Sequence, residues 1–225
     1  MKKLVIPALI GVILIGGVYA RRKYFQVKAK PLNHKEASVA ELAVNELKDG
    51  DLIFQTSTSK QSKAIQLATK SKYSHCGIIY RENNSFYVFE AIQPVKRTPL
   101  VEWIARGKNG EYVVKRLIER DHYLTSEVLG EMKVIGDGFA GKDYDPEFDW
   151  SDDRIYCSEL IWKIYKRATG LEIGYLQNLS EFDLSSEVVK NKLKERYGDE
   201  IPKDEKVISP GVMFDSELLE VVRSN

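Results

Sequence analysis

The chain has 225 residues, of which 43% are hydrophobic and 30% charged, a balance that suits one soluble domain large enough for a real core. The formal net charge is +1, and the basic residues are dispersed beyond the N-terminus rather than gathered into a stripe, which argues against nucleic-acid binding. Repeats and low-complexity tracts are absent. We therefore expect one globular domain with an N-terminal appendage.

Residues 1–25 form this appendage, in which the uncharged run Leu4–Ala20 has basic residues on both sides. The run is at the short end for a membrane span. We predict an uncleaved membrane anchor that carries an extracytoplasmic domain. The alternative is a secretory signal cleaved near Ala20, whose small side chain suits such a site, although a basic cluster follows directly. The run contains no cysteine, which excludes a lipoprotein anchor within it.

Residues 26–47 are predicted as a polar connector and residues 48–225 as the main domain. A turn signal precedes a strand predicted at Asp51–Gln55. The polar stretch Thr56–Ser59 follows, and its side chains either cap the next helix, predicted at Lys60–Thr69, or line a pocket. The domain is therefore expected to begin with a strand, a polar turn and a helix.

The stretch 73–91 is predicted as a β-hairpin, because two alternating apolar runs flank a polar turn at 82–85. A turn centred within that segment pairs Gly77 with Glu90. Side chains alternate along a strand, so His75 and Glu90 share one face as diagonal neighbours. A Glu90 carboxylate could then orient the His75 imidazole, and Gly77 leaves space between them.

Three further elements follow the hairpin. A short helix is predicted at Val101–Ile104, within a loop that begins at Pro94. A strand is predicted at Tyr112–Leu117, and a helix at Ser126–Ala140, where apolar residues recur at helical spacing. With the first strand and the hairpin, this gives at least four strands in one antiparallel sheet.

The C-terminal part, residues 171–225, carries weaker signals. Ser185 can cap a helix that ends before Gly198 and has a basic, solvated face. The segment Val207–Gly211 could form a pocket wall. A final helix is expected at about Ser216–Val222.

The second half of residues 141–170 is predicted as a helix with Cys157 near its start. Apolar residues share the face of Cys157, and Gly170 suits a C-terminal cap. The positive end of the peptide dipoles favours a Cys157 thiolate. The sequence does not decide at which residue this helix begins, since a cap at Asp153 would place Cys157 slightly inside the helix.

The other cysteine, Cys76, follows His75 on a strand. We therefore expect Cys76 to face the opposite side of the sheet from His75, Glu90 and any nucleophile that they serve. We interpret Cys76 as a small buried hydrophobe and expect no Cys76–Cys157 disulfide. A histidine and a glutamate on one face of a strand pair, with a cysteine at a helix start, are the parts of a thiol hydrolase.

Several segments together are similar to a known family. They are Gly50–Phe54, Tyr73–Ile79, Glu90, Gly141–Asp145 and Tyr156–Leu160. On these segments the chain from about Lys48 to Gly170 resembles the permuted papain-like hydrolases, the YiiX-like branch of the NlpC superfamily. The resemblance implies an α+β, circularly permuted papain-like fold. In that fold a small antiparallel sheet packs against a helix that bears the cysteine at its N-terminal end.

The resemblance also implies a Cys–His–Glu triad, at Cys157, His75 and Glu90. In this hypothesis Cys157 attacks an amide carbonyl, His75 accepts the thiol proton and Glu90 fixes the imidazole tautomer. The oxyanion would be held by the Cys157 main-chain N–H together with Tyr156 or Tyr144. The predicted function is an extracytoplasmic cysteine amidohydrolase or peptidase. Alternatives are a catalytically silent module that binds an amino acid or cell-wall fragment, and a lipid acyltransferase.

No cofactor and no metal ion are expected. His34 and His122 complete no metal-ligand set. The acidic residues between Asp143 and Asp153 loosely resemble a calcium loop, but the turn glycine and the terminal glutamate are misplaced, so we interpret them as a solvated loop. The expected partners are a small-molecule, peptide or lipid amide substrate, which includes cell-wall peptides, and a membrane through the N-terminal segment. The sequence leaves the oligomeric state open.

Overall fold

The computed structural model describes residues 46–83 and 85–224. The predicted anchor at 1–25 and the connector as far as residue 45 lie outside the described residues. Among the helices that are described, none combines the length and the apolar character needed to cross a bilayer.

The centre of the domain is a six-stranded antiparallel sheet. Among the described residues there are eight strands, and six of them form this sheet. In chain order the eight strands are β1 Leu52–Gln55, β2 His75–Glu82, β3 Ser85–Glu90, β4 Lys96–Pro99, β5 Val113–Leu117, β6 Gln177–Asn178, β7 Lys206–Val207 and β8 Leu219–Ser224. The order across the sheet is β4-β3-β2-β1-β5-β8, and all neighbouring pairs are antiparallel. Strands β6 and β7 form a separate two-stranded ribbon. The predicted antiparallel sheet is confirmed.

The helices lie between these strands along the chain. They are α1 Ser62–Thr69, α2 Leu100–Ala105, α3 Arg120–Tyr123, α4 Ser126–Asp137, α5 Cys157–Thr169, α6 Glu187–Tyr197 and α7 Pro210–Phe214. Helices α4 and α5 pack against each other, and α5 also packs against β2. Helix α1 packs against α6.

Both faces of the sheet are covered, because alternation along each strand sends apolar side chains to both sides. On one face Ile53 and Ile79 pack with Trp103 of α2. On the other face, Phe54 packs in the larger core with Leu160 of α5. The α+β, papain-like architecture is therefore confirmed, with the cysteine-bearing helix against one face of the sheet.

The predicted helix at Ser216–Val222 is wrong, because Leu219–Ser224 forms the edge strand β8 beside β5. Local apolar spacing fits a helix there. However, the adjacent Val221 and Val222 are β-branched and favour a strand. Strand β5 supplies main-chain hydrogen-bond partners that no short-range pattern reveals, so tertiary pairing decides the conformation.

Two smaller predictions also differ from the structure. The stretch Thr56–Ser59 does not cap α1, whose N-cap is Gln61 without a side-chain cap bond. The predicted loop after Pro94 contains the edge strand β4, which ends at Pro99. Proline is tolerated at such an edge position, because no ladder hydrogen bond needs its missing N–H.

Gly77 lies in the hairpin where a side chain has no room. A Cβ there would lie 2.3 Å from Val88 Cγ1 and 3.0 Å from the Phe89 carbonyl oxygen. Gly77→Ala is therefore expected to lower the free energy of unfolding by about 1–3 kcal/mol in chemical denaturation. The matched control is Gly130→Ala in α4, where a Cβ meets nothing within 4 Å and helix propensity should add about 0.5–1 kcal/mol. Equal stabilities of the two variants would contradict this packing.

Candidate active site

Helix α5 begins at Cys157, so the thiol lies at the end of the helix with free main-chain N–H groups. The Tyr156 N–H donates to the Glu159 carboxylate at 3.4 Å, and Gly170 ends the helix with a φ of 76°. The first N–H groups of a helix lack intrahelical acceptors, and their dipoles favour negative charge at this position. Tyr156 is the N-cap, so the Asp153 cap that the sequence left open does not form.

The hairpin has the predicted register, with Ile79 opposite Val88. His75 Nε2 and Glu90 Oε2 are 2.6 Å apart, which confirms that the two side chains meet across the strand pair. Trp103 of α2 stacks on the imidazole, with ring centroids 5.8 Å apart. Because Nε2 is held by the carboxylate, Nδ1 is the imidazole nitrogen left to face a thiol.

Two residues that sequence reasoning missed hold Glu90 in place. Thr98 Oγ1 donates to Glu90 Oε1 at 2.5 Å, and the Arg106 guanidinium donates to the same oxygen. Burial alone would raise the pKa of Glu90, but hydrogen bonds from His75 and Thr98 and the charge of Arg106 hold it below its usual value. Thr98 was missed because β4 was predicted as loop, and no local pattern marks Arg106.

Cys76 contacts Cys157, contrary to the prediction. Cys76 does face the opposite side of the sheet from His75, in the same core cluster as Cys157. Helix α5 packs on that face, so Cys76 interacts with the Cys157 thiol and lowers its pKa, and His75 at the first position of β2 has the same effect on Cys157. The prediction failed because it assumed that the nucleophile lies on the His75 face. Both cysteines are free thiols.

The surroundings of Cys157 favour an imidazolium–thiolate pair. The hydrogen bond from the Cys76 thiol, followed by the contacts with His75, holds the pKa of Cys157 well below its usual range although burial opposes this. Burial lowers the pKa of His75, but its contacts with Cys157 and Glu90 outweigh burial and raise the pKa to about 9. Burial raises the pKa of Cys76, so Cys76 keeps its proton and acts as a donor.

The two tyrosines predicted near the oxyanion have different surroundings. Tyr156 accepts a hydrogen bond from the Ile208 N–H at 3.1 Å, which fixes its hydroxyl against the main chain. Tyr144 accepts from Gln61 Nε2 at 2.8 Å, and its own O–H proton is left for another acceptor. Each hydroxyl accepts one hydrogen bond, and both tyrosines line the same cavity as Cys157.

Two spaces meet at the site. The first, the apolar cavity, has Cys157 in its wall and an empty volume of about 650 Å³ including its opening; its other walls include Ala68, Phe148, Phe182, Leu184, Val189 and Leu193. The second, the polar cleft, has His75 in its wall and an empty volume of about 1100 Å³ including open solvent; its other walls include Gln55, Ser57, Thr58, Ser59, Gln93 and Arg106. Three residues of the stretch Thr56–Ser59, namely Ser57, Thr58 and Ser59, thus line a pocket, which is the second role that the sequence allows for this stretch. Tyr144 lines both spaces.

Comparison with known proteins identifies the family that has this architecture. The family profile of the permuted papain-like amidases, YaeF/YiiX, C92 family, matches residues 46–223. The chain belongs to this family. As a permuted papain-like amidase it is a cysteine hydrolase, in which the histidine strand precedes the cysteine helix along the chain.

Relatives of this amidase support the assignment. The Escherichia coli K12 protein YiiX is 51% identical over 173 residues, which are 77% of this chain and 84% of that protein. A crystal structure of YiiX from Escherichia coli O157:H7, described as a metalloprotein, has a TM-score of 0.76 and 49% identity. It covers 80% of this chain and 98% of its own.

A metal centre does not fit the part of this amidase that the structure describes. No group of three or more His, Cys, Asp or Glu side chains is arranged there to hold an ion. The Cys157 sulfur and the His75 imidazole are engaged with each other and with Cys76 and Glu90.

The Cys76 contact leads to a test of how the thiolate is stabilised. Cys76→Ala removes the strongest donor to Cys157, so the pKa of Cys157 should rise. The measurement is the pH dependence of Cys157 alkylation by iodoacetamide, followed by peptide mass spectrometry. Cys76→Ser, which keeps a hydroxyl donor, is the matched control and should stay nearer the wild-type profile. An unchanged profile in Cys76→Ala would show that Cys76 does not tune Cys157.

Proposed function

We propose that this protein is an extracytoplasmic cysteine amidohydrolase in which Cys157, His75 and Glu90 form the catalytic triad. The observation that carries the proposal is the 2.6 Å contact between His75 Nε2 and Glu90 Oε2, on a histidine whose pKa is also raised by its interaction with the helix-terminal Cys157. A nucleophile, a base that contacts it and a third group that orients the base are the elements of covalent acyl transfer.

The roles of the residues follow from their contacts. The Cys157 thiolate attacks the carbonyl carbon of an amide, and the oxyanion lies against the Cys157 N–H and Tyr144. When the tetrahedral intermediate collapses, the imidazolium of His75 protonates the departing nitrogen, the C–N bond breaks and a Cys157 thioester remains. A water molecule, deprotonated by His75, then attacks the thioester and releases a carboxylic acid. Glu90 stabilises the imidazolium in each cycle.

The extracytoplasmic location rests on the predicted anchor at residues 1–25. Cleavage near Ala20 remains the alternative route to the same compartment. Protease added to intact spheroplasts should digest the domain if it is anchored outside the cytoplasm, whereas a domain protected until the cells are lysed would contradict the proposal.

Product analysis distinguishes hydrolysis from acyl transfer and from silent binding. The protein is incubated in ¹⁸O-labelled water with a panel of cell-wall peptides, amino-acid amides and lipid amides. Hydrolysis places one labelled oxygen in the released acid. Acyl transfer gives a new ester or amide without the label. Absence of any Cys157-dependent product across the panel would favour the silent binding module.

The pH dependence of kcat/KM tests the imidazolium–thiolate pair. The folded pKa of His75 is raised to about 9, above the ordinary value of about 6.5. The stabilisation from protonated His75 is therefore fully present below pH ~6.5 and is lost as the pH rises through about 9. We expect kcat/KM to hold through neutral pH and to fall with an alkaline limb near pH 9. An alkaline limb near pH 6.5 would contradict the pairing.

A further inference from the structure

The polar cleft begins at the imidazole that would protonate the departing amine, because His75 lies in its wall. In the proposed reaction the acyl carbon stays bonded to Cys157 as a thioester. The amine half instead receives its proton from His75 and leaves. The groups of the polar cleft are therefore the ones that the amine half meets.

Two amide side chains in the wall of the polar cleft are already engaged at both ends. Gln93 donates to the Asp143 carboxylate and accepts from the Tyr144 main-chain N–H at 2.8 Å. Gln61 donates to the Tyr144 hydroxyl at 2.8 Å and accepts from Arg196 Nη2 at 2.7 Å. These bonds hold the wall in place, so recognition of the amine half falls to other side chains.

Gln55 is the amide with an unsatisfied end. It pairs with His75 across β1 and β2, so the two side chains share one face of the sheet. Gln55 is 2% exposed, and its Oε1 has no hydrogen-bond partner among the described residues. This oxygen lies close to the main chain at Gly107, where a Cβ would be 2.2 Å away. A buried acceptor without a partner is costly, so an N–H group in the cleft would satisfy it.

Arg106 directly precedes Gly107 and supplies the cation of the polar cleft. Its Nη2 donates to Glu90, but a guanidinium has five N–H donors, so Glu90 engages only part of it. The Arg106 side chain is 41% exposed, whereas Glu90 is fully buried, so further donors are accessible from the cleft. Among the described residues that line the cleft, none is Asp or Glu. A carboxylate there would pair with the guanidinium without an acidic neighbour in the wall.

We propose that the polar cleft binds the leaving half of the substrate and that this half carries a carboxylate beside the scissile nitrogen. Arg106 binds the carboxylate, and Gln55 Oε1 accepts the scissile N–H, which orients the nitrogen for protonation by His75. The inference rests on the proposed function, because it takes His75 as the acid. Such a leaving half occurs in free N-acyl α-amino acids and in the C-terminal residue of a peptide.

The first test compares N-acylglycines with N-acylglycinamides, each made with acetyl, benzoyl and decanoyl groups. Released glycine or glycinamide is measured by fluorescent amine derivatisation. Within a pair the acyl half is identical, so the ratio of the two kcat/KM values reports the carboxylate alone. We expect the acid to be preferred by roughly 10- to 100-fold. A parallel arm uses N-acetyl-Ala-Ala-Gly and its C-terminal amide: a higher rate there identifies a peptide as the source of the carboxylate, and a higher rate with N-acylglycines identifies a free acyl amino acid.

Variants of Arg106 test which residue binds the carboxylate. Arg106→Gln should bring the acid and the amide to about equal kcat/KM, and Arg106→Lys should keep part of the preference. Thr98→Val is the matched control, because it removes another donor to the same Glu90 oxygen but leaves the guanidinium in place. It should keep the preference even if both rates fall. Both substrates are compared on one protein, so a general loss of folded enzyme cancels from the ratio.

A matched ester tests Gln55. The O-acylglycolate has the same acyl group and carboxylate as the N-acylglycine but lacks the N–H. Gln55→Leu should lower kcat/KM for the amide at least about fivefold more than for the ester. Equal losses for the two substrates would remove Gln55 from the proposed subsite.

Three outcomes separate this inference from the proposed function. A preference for the acid that Arg106→Gln abolishes and Thr98→Val retains supports the inference. Cys157-dependent hydrolysis that is equally fast for acid and amide overturns it and leaves the amidase function standing. If no member of the series is cleaved, ligand-observed NMR with Cys157→Ala decides. Binding of N-acetylglycine that exceeds binding of N-acetylglycinamide, and that Arg106→Gln weakens, supports the subsite although hydrolysis of these amides fails; equal or absent binding overturns the inference.

Discussion

Cys157→Ser is expected to lower kcat/KM for an amide that the wild type cleaves by at least about 10⁴-fold. A serine hydroxyl at this position is nearly isosteric, but at neutral pH it does not ionise and is a weak nucleophile. The interactions that hold the pKa of Cys157 low, from Cys76 and His75, act on a thiol that is already close to ionisation. The measurement is steady-state hydrolysis of the same amide by both proteins at equal concentration.

The size of the loss in kcat/KM shows whether Cys157 is a nucleophile or a buried cysteine that only packs in the core. Cys76→Ser makes the same chemical change at the cysteine that interacts with Cys157, and it is the internal control. It should retain most of the activity, because its hydroxyl still donates to Cys157. Comparable losses in the two variants, or measurable turnover by Cys157→Ser near the wild-type rate, would remove Cys157 from the nucleophile role.

Glu90→Gln is expected to lower kcat/KM by about 10²–10⁴-fold. The glutamine amide can donate to His75 Nε2, which leaves the imidazole proton on Nδ1, where it faces Cys157 and cannot accept the thiol proton. The substitution removes the carboxylate contact that helps to raise the pKa of His75, so this pKa should fall and the alkaline limb should move below pH 9. The measurement is the pH profile of kcat/KM together with a thermal denaturation curve.

Thr98→Val is the matched control for Glu90→Gln. Thr98 donates to the same carboxylate but leaves the charge in place, so we expect about a tenfold loss or less and an alkaline limb that stays near pH 9. A purely structural role of Glu90 would lower the melting temperature of both variants without moving the limb. The combination of a shifted limb in Glu90→Gln and an unshifted one in Thr98→Val identifies Glu90 as the group that orients the base.

The features that the sequence predicts correctly depend on short-range periodicity. The meeting of His75 and Glu90 follows from a turn position and the two-residue alternation of strands, and it is independent of the rest of the fold. The position of Cys157 at a helix start follows from the apolar spacing behind it and from Gly170. These local rules suffice for three of the residues that we propose as catalytic, and they also suffice for the core strands.

The features that the sequence does not predict depend on which surfaces meet. Strand alternation predicts the correct face for Cys76, but only the packing of α5 shows that Cys157 lies on that face. Arg106 reaches Glu90 from the end of α2, and the apolar cavity requires α1 and α6 to converge beside Cys157. Each of these contacts joins segments that are distant along the chain, so no periodicity within either segment reveals it.

The most direct test of the triad is the rate at which iodoacetamide alkylates Cys157 at pH 6.5, measured by peptide mass spectrometry against free cysteine. An imidazolium–thiolate pair predicts that Cys157 reacts at least about tenfold faster than free cysteine, whose thiol is largely protonated at this pH, and that His75→Ala removes the advantage. Alkylation of Cys157 no faster than free cysteine, or a rate that His75→Ala leaves unchanged, would contradict the proposed active site.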